Sequence, residues 1–198
     1  EVFVLGFGSG VTAGALLGHP VERVTVAENC EPVLRAGKYF APWNRNVLTD
    51  PRARIVTEDA RTLLKLSPQR YDAIISEPSN PWMVGVGSVF SREFYELCAS
   101  RLVDGGVMAQ WFHVYEMHDG IVALILHTFA GVFPHVEIWD LGAGDLILLG
   151  SQKPWPTGPA VWRAVFARPA PARARCCARS ASRTLISRNP SSGSPPRG

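Results

Sequence analysis

The sequence predicts an α/β fold whose sheet is doubly wound, mostly parallel and about seven strands wide. Short runs rich in β-branched and aromatic residues alternate with longer helical stretches over residues 1–151. The first run leads directly into glycines at positions 6, 8 and 10, and the last two runs flank a glycine-rich turn at residues 142–144. Repeated strand–helix units favour a Rossmann-like sheet with helices on both faces, and the closing turn makes the last strand antiparallel.

Each predicted element follows from its local pattern. The strand-like runs are residues 2–5, 23–27, 54–57, 71–76, 107–112, 136–139 and 146–149. Small or apolar residues at helical spacing predict helices over residues 11–18, 31–40, 60–66 and 118–131. A further helix begins after Ser91, a favourable N-cap residue, and carries Phe94, Leu97, Cys98 and Leu102 on one face.

Three connections are predicted as turns or loops because proline, glycine and polar residues are concentrated there. They are residues 42–44, 77–90 and 104–106. Ligands of doubly wound sheets bind beyond the carboxyl ends of the strands. We therefore expect the binding residues to lie within residues 6–10, 28–31, 58–60 and 77–90.

Charge divides the chain into two parts. The formal net charge is +3, but residues 1–151 hold 11 basic and all 17 acidic side chains, and residues 152–198 hold nine basic and no acidic ones. An acidic body favours a cationic substrate over nucleic acid. Residues 152–198 are rich in proline, arginine, alanine and serine and lack periodicity. They are predicted to be a disordered tail after a single domain at residues 1–151.

The cysteine and histidine patterns give no sign of a metal site. Cys30, Cys98 and the adjacent pair at 176–177 include no CxxC motif, which favours reduced thiols in a cytoplasmic setting. No apolar run approaches the ~20 residues of a membrane-spanning helix, and no signal-peptide pattern opens the sequence. The five histidines have no ligand spacing. Although His113 and Tyr115 follow the fifth strand towards the cleft, core or surface positions are favoured for them.

The glycine cluster predicts a nucleoside-binding loop. Gly6, Gly8 and Gly10 form a GxGxG pattern directly after the first strand. Glycine permits positive φ and allows a ligand to approach the backbone closely. The dinucleotide fingerprint would require a further glycine at Val11, so a nucleoside without a pyrophosphate is favoured over NAD or FAD. A plain strand-to-helix turn is the structural alternative.

Acidic residues follow the second and third strands. Glu28 is placed to accept hydrogen bonds from both hydroxyls of a ribose, and Glu31 lies one helical turn further on. Asp59 is placed to accept from an adenine amino group, while the small Ala60 leaves room for the ring. The structural alternatives are a hydrated acid for Glu28, a favourable charge at a helix N-terminus for Glu31, and helix capping for Asp59.

The end of the fourth strand is the topological position for a catalytic group. There the sequence reads SEPSNPW over residues 76–82, with two prolines that stiffen the loop. Glu77 is expected to point into the cleft, and Trp82 to form one wall of it. The alternative is a rigid turn whose Glu77 is merely hydrated.

Six segments carry a resemblance to a known family. They are residues 4–14 and the motifs VTVAENCEPV, EDA, YDAIISEPSNPW, VFSREFYELCASRLVDGGVMAQW and FPHVEIWDLGAGDLILLGS. Together they resemble the spermidine synthase (polyamine aminopropyltransferase) family, in particular its divergent bacterial spermidine synthase-like branch. The resemblance covers about residues 2–151, implies a class I methyltransferase-like fold, and excludes the tail. Some members of that branch carry a membrane-spanning portion elsewhere in the chain.

The resemblance also implies roles for the nucleoside-binding residues. The three glycines match the nucleoside loop, and Glu28 matches the acid that holds the ribose. Asp59 and Ala60 match the Asp-Gly pair beside the adenine, with alanine in place of the glycine. The implied co-substrate is decarboxylated S-adenosylmethionine, with S-adenosylmethionine as the alternative, and the reaction needs no metal.

The loop after the fourth strand departs from the family pattern. Glu77 matches the first aspartate of the family's Asp-Ser-Ser-Asp-Pro loop, the implied general base, but is one methylene longer. Asn80 matches the second aspartate, which helps bind the diamine, and lacks its charge. The family's small N-terminal β domain, which helps close the substrate site, is missing from residues 1–151.

Three functions are weighed. The first is transfer of an aminopropyl group to putrescine or a related amine, in polyamine biosynthesis, by a family whose members are often homodimers. The second is S-adenosylmethionine-dependent methyl transfer on the same fold. Amino-group methyltransferases often have Asn-Pro-Pro-aromatic at the end of the fourth strand, and here Asn80 comes three residues late. The third is a non-catalytic remnant of a truncated, frame-damaged gene.

Overall fold

The chain folds around one seven-stranded sheet. A computed structural model describes residues 1–79, 81–83 and 85–155. The strands are β1 (Val2–Leu5), β2 (Val24–Ala27), β3 (Ala53–Val56), β4 (Tyr71–Ser76), β5 (Leu102–His113), β6 (His135–Gly142) and β7 (Asp145–Ser151). The helices are α1 (Val11–Leu16), α2 (Glu31–Ala36), α3 (Ala41–Asn44), α4 (Ala60–Leu66), α5 (Arg92–Arg101) and α6 (Asp119–Ala130). Short 3-10 turns cover Gly37–Phe40, Val47–Thr49 and Val86–Phe90.

The strand order confirms the predicted fold class. The sheet runs β3-β2-β1-β4-β5-β7-β6, with β1 to β5 parallel to one another. Strand β7 is inserted between β5 and β6 and runs antiparallel to both of them. This is the doubly wound, class I methyltransferase-like arrangement with an antiparallel last strand.

Two apolar clusters cover the two faces of the sheet. Side chains alternate between faces along a strand, so Phe3 packs into one cluster while its neighbours Val2 and Val4 pack into the other. Helices α4, α5 and α6 contribute to the Phe3 cluster, and α1 and α2 contribute to the second. Burial raises the pKa of the Cys98 thiol in the Phe3 cluster, which fits a core role for that cysteine.

Several predicted boundaries are wrong in detail. The predicted loop at residues 42–44 lies within α3, and the predicted helix over residues 31–40 is split into α2 and a 3-10 turn. The predicted turn at residues 104–106 is a bulge inside β5. There the pairing with β4 moves from Tyr71–Leu102 to Ala73–Val107. Strand β5 resumes its pairing with β4 after the bulge, so the turn-forming residues at 104–106 do not end the strand.

The chain continues to contact the domain just beyond β7. Gln152 donates a hydrogen bond to the Val132 carbonyl, and the Trp155 indole donates one to Glu137 Oε1 at 2.9 Å. Lys153 forms an ion pair with Asp104. The first residues of the predicted tail therefore pack on the body, and the tail from residue 156 onwards lies outside the described residues.

Neither α5 nor α6 has the length needed to cross a bilayer, and the same holds for every other helix in the described part of the chain.

Close packing between α1 and α3 leads to a stability prediction. A Cβ atom on Gly14 would lie 2.2 Å from the Asn44 carbonyl oxygen, which is backbone and has little freedom to move. Alanine normally stabilises a helix by about 0.5–1 kcal/mol over glycine. Here overpacking costs about 1–3 kcal/mol or more and outweighs that gain. We expect Gly14→Ala to lower the urea midpoint of unfolding.

The matched control is Gly120→Ala in the first turn of α6, where the nearest atom is the Nδ1 atom of the exposed His118, 3.3 Å away. This variant is expected to unfold at or slightly above the wild-type midpoint. Equal midpoints for Gly14→Ala and the wild-type chain would contradict the close approach of α1 to α3.

Candidate active site

The register of the sheet brings the predicted site residues together. Leu5 at the end of β1 pairs with Ala27 on β2 and with Ser76 on β4. The next residue along each strand is Gly6, Glu28 or Glu77. Because parallel strands in register end at the same edge, these three residues lie side by side beyond the sheet.

A cavity of about 840 Å³ opens at this edge. The loops after β1, β2, β3 and β4 all contribute to its lining. Its polar lining includes the carboxylates of Glu28, Glu58, Asp59 and Glu77. Among the described residues that line the cavity, no side chain is a lysine, arginine or histidine. The cavity therefore favours a ligand that carries positive charge.

The glycine loop adopts the left-handed backbone that its composition predicts. Gly6, Gly8 and Gly10 have φ of +83°, +52° and +78°. Gly6 and Gly8 line the cavity, whereas Gly10 does not. A Cβ atom on Gly10 would lie 2.6 Å from the Phe7 ring. The third glycine thus serves close packing beneath the loop, and the first two shape the ligand-facing backbone.

Glu28 ties two loops together at the cavity wall. Its Oε2 accepts a hydrogen bond from the Phe7 amide at 2.9 Å, and its Oε1 accepts from the Cys30 amide at 2.8 Å. The residue is only 9% exposed, yet it lines the cavity. A carboxylate offers about four acceptor positions, so each oxygen keeps capacity for a ribose hydroxyl. The low exposure of Glu28 is more compatible with a ligand-binding carboxylate than with a hydrated acid at a strand end.

Asp59 both caps a helix and lines the cavity. Its Oδ1 accepts from the Thr62 amide at 2.9 Å and from the Thr62 hydroxyl at 3.0 Å, which makes Asp59 the N-cap of α4. Asp59 therefore caps a helix, as the structural alternative predicts. Capping uses Oδ1 and is compatible with a ligand contact by the second oxygen, Oδ2. Ala60 is buried next to it on the cavity wall, where its small side chain leaves space.

Glu77 lies at the mouth of the cavity with one of its oxygens already engaged. The Thr12 hydroxyl donates a hydrogen bond of 2.7 Å to Glu77 Oε2. No hydrogen bond to the other oxygen, Oε1, comes from the residues that the structure describes. The position of Glu77 suits a general base, because the residue lines a cavity of about 840 Å³ and only one of its oxygens is engaged by the described residues.

The structure does not bring every predicted residue to the cavity. Glu31 is exposed and pairs with Arg35 one helical turn away at 2.8 Å. Trp82 is 49% exposed and contacts the edge of the His113 ring, with centroids 5.1 Å apart. Neither Glu31 nor Trp82 lines the cavity, and Asn80 lies outside the described residues. His113 is fully buried and stacks on Tyr115, in the core position that the sequence favours.

Sequence reasoning missed two residues that shape the site. Thr12, which contacts Glu77, follows the glycine loop and has the pattern of an ordinary helix residue. Asn44 is buried, and its amide donates to the Ser9 carbonyl and to the Gly37 carbonyl, both at 2.9 Å. It therefore ties α3 to the glycine loop. No sequence pattern distinguishes Asn44 from the other polar residues of the predicted loops.

Fold and cavity together define a Rossmann-like α/β domain with an acidic ligand site at one edge of its sheet. Comparison of the chain with known protein families narrows this class to one family. The profile of the spermine/spermidine synthase domain matches residues 1–139. The chain belongs to the spermine/spermidine synthase family, which confirms the resemblance seen in the sequence.

Individual relatives agree with this assignment. Polyamine aminopropyltransferase 2 of Pseudomonas aeruginosa is 31% identical over 141 residues, which are 69% of this chain and 40% of that protein. Putrescine N-methyltransferase 2 of Nicotiana tabacum is 29% identical over 136 residues, 67% of this chain and 36% of that protein. The chain thus spans less than half the length of either relative.

A solved structure shares the fold as well. It is a spermidine synthase in complex with the transition-state analogue AdoDATO, with a TM-score of 0.69 and 25% sequence identity. The similarity covers 77% of this chain and 54% of that one.

Proposed function

We propose that the protein transfers an aminopropyl group from decarboxylated S-adenosylmethionine to putrescine or a related amine. The observation that carries the proposal is the cavity lining, with four carboxylates and no basic side chain among its described residues. Both substrates are cationic, and an acidic cleft attracts them. The carboxylate of S-adenosylmethionine itself would enter a site that offers it no cationic partner among these residues.

The proposed roles follow from the positions of the side chains. Gly6 and Gly8 allow the nucleoside to approach the backbone, Glu28 accepts from the ribose hydroxyls, and Asp59 faces the adenine beside Ala60. Glu77 accepts the proton that the amine loses on attack. The nitrogen forms a bond to the propyl carbon, the carbon–sulfur bond breaks, and its electron pair stays on sulfur as a neutral thioether.

Methyl transfer to an amine is the second candidate function. It is supported by the similarity to a putrescine N-methyltransferase. Against it, the lining offers four acids to a ligand that would bring its own carboxylate. The loop after β4 and the acidic cleft would suit an amine substrate in either reaction. Aminopropyl transfer and methyl transfer are therefore distinguished by whether the chain prefers the decarboxylated or the carboxylated form of S-adenosylmethionine.

Thermal-shift measurements of ligand binding to the 198-residue chain distinguish aminopropyl transfer from methyl transfer. A ligand that binds only the folded state raises stability by RT ln(1 + [L]/Kd), about 2.7 kcal/mol at a 100-fold excess over Kd. We expect a larger rise in Tm with decarboxylated S-adenosylmethionine than with S-adenosylmethionine at equal concentration. The reverse order would favour methyl transfer, and no shift with either ligand would favour the non-catalytic remnant.

Other features implied by the resemblance stay predictions. The homodimer, the membrane-spanning portion of a longer chain and the cytoplasmic location are among these predictions. Asn80 is proposed as an amine-binding residue, and Trp82, in the same loop after β4, as an aromatic wall of the substrate site. Glu31 lies outside the cavity lining and is assigned no part in nucleoside binding.

A further inference from the structure

We propose that Thr12 is a positioning residue whose hydroxyl holds the Glu77 carboxylate in the orientation that receives the amine proton. The proposal rests on the aminopropyl transfer proposed above. It assigns a role to the first turn of α1 that is separate from nucleoside binding by the glycine loop. Thr12 is expected to act on the reaction only through Glu77.

The contact joins two distant segments of the chain. Thr12 Oγ1 lies 2.7 Å from Glu77 Oε2, across a sequence separation of 65 residues. A carboxylate has only acceptor positions, so the threonine hydroxyl donates the hydrogen bond. Both residues line the cavity. The hydrogen bond therefore fixes one oxygen of Glu77 at the cavity wall, and the other oxygen, Oε1, accepts no hydrogen bond from the described residues.

The length of the Glu77 side chain explains why it needs such a partner. Pro78 follows it and restricts the Glu77 backbone to extended conformations, but the side-chain torsions stay free. Glutamate has one more rotatable bond than aspartate, and Glu77 is exposed at the cavity mouth. Threonine is β-branched and stiff at χ1. A stiff donor on α1 therefore selects one orientation of a side chain that would otherwise sample several.

Accurate placement of a general base affects catalysis more than binding. Displacing a catalytic group by about 1 Å costs up to ~100-fold in rate. The proposed role of Thr12 concerns the amine and not the nucleoside. Loss of its hydroxyl should therefore weaken the contacts that the protein makes with the amine and leave the nucleoside contacts unchanged. This difference separates a positioning role from a structural role in the glycine loop.

The test compares Thr12→Val, which removes the donor with little change of shape, and Thr12→Ser, which restores it. Isothermal titration of the 198-residue chain uses two probes: 5′-methylthioadenosine, and a bisubstrate compound that joins an adenosyl thioether to a diamine chain. We expect Thr12→Val to bind the bisubstrate about 10-fold more weakly, because binding must then order a Glu77 side chain that Thr12 no longer holds in place. Its affinity for the nucleoside should stay within about twofold of wild type, and Thr12→Ser should restore the bisubstrate affinity.

A double-mutant cycle with Glu77→Ala shows whether Thr12 acts through Glu77. In that background Thr12→Val should add no further loss of bisubstrate affinity, because there is no carboxylate to position. Thr128→Val, which removes a threonine hydroxyl bonded to the Leu124 carbonyl within α6, is the control and should bind both probes as wild type does.

Three results would overturn the role of Thr12 alone: wild-type affinities in Thr12→Val, equal losses for both probes, or failure of serine to restore the bisubstrate affinity. Failure of the wild-type chain to bind either adenosyl probe would instead overturn the proposed function, and the Thr12 proposal with it. The two failures are therefore distinguishable in the same titrations.

Discussion

Replacing Glu77 by glutamine is expected to lower kcat by about 10²–10⁴-fold, the range typical of a lost general base. Glutamine keeps the shape of the side chain and an oxygen that accepts from Thr12, but it takes no proton at neutral pH. Alkylamines are mostly protonated there, since their pKa lies near ~10.4. The nucleophilic nitrogen must lose a proton during the reaction. Steady-state kinetics with decarboxylated S-adenosylmethionine and putrescine measure the effect.

Affinity for 5′-methylthioadenosine should change less than about threefold in this variant, because Glu77 is not assigned to the nucleoside. Glu77→Asp keeps a carboxylate and should retain more turnover than Glu77→Gln. The matched control, Glu96→Gln, removes an exposed acid from α5 and should leave kcat unchanged. Comparable losses in turnover and in nucleoside binding for Glu77→Gln would remove the assignment of Glu77 as the base.

Replacing Glu28 by glutamine should weaken both nucleoside binding and folding. Both Glu28 oxygens accept from backbone amides, Phe7 on one side and Cys30 on the other. The amide group of glutamine has one oxygen, so its NH₂ would face one of these donors in a nearly buried position. An unsatisfied buried donor costs about 1–3 kcal/mol of stability. Loss of a charged acceptor for the ribose adds at least a ~10-fold fall in affinity.

Titration with 5′-methylthioadenosine and urea unfolding measure the two effects of Glu28→Gln separately. Glu31→Gln is the control, since Glu31 begins α2 three residues after Glu28, does not line the cavity and forms an exposed ion pair with Arg35. Such pairs contribute roughly 0–1 kcal/mol, so stability and affinity should change little. An equal loss of affinity in both variants would show that general acidity, and not the Glu28 geometry, binds the nucleoside.

The fold could be predicted from the sequence because its strongest signals are local. The strand runs at residues 2–5 and 71–76 and the Ser91 cap are all confirmed, since the Ser91 hydroxyl accepts from the Phe94 amide at the start of α5. The misplaced turn at residues 104–106 shows where such signals fail. An Asp-Gly-Gly turn pattern is local, but the continuation of β5 depends on pairing with β4, which is a long-range interaction.

The candidate site likewise contains residues that the sequence predicts and contacts that depend on long-range packing. Glu28, Asp59 and Glu77 directly follow strands or begin the next helix, so topology alone places them at one edge of the sheet. The Thr12–Glu77 and Asn44–Ser9 contacts join segments whose proximity depends on packing of α1 and α3. Helical spacing carries no information on which hydroxyl meets which acid. These partners were therefore beyond reach of sequence patterns.

The position of β7 has a consequence for how the protein is made. Within the sheet β7 is the latest strand in sequence, yet it is interior and holds β6 against β5. While the ribosome is still translating β7, β5 lacks a neighbour on that side and β6 has none. Both strands then expose unpaired edges that invite association with other nascent chains. The strands that end at the cavity, β1, β2 and β4, are therefore synthesised well before β7 completes the sheet.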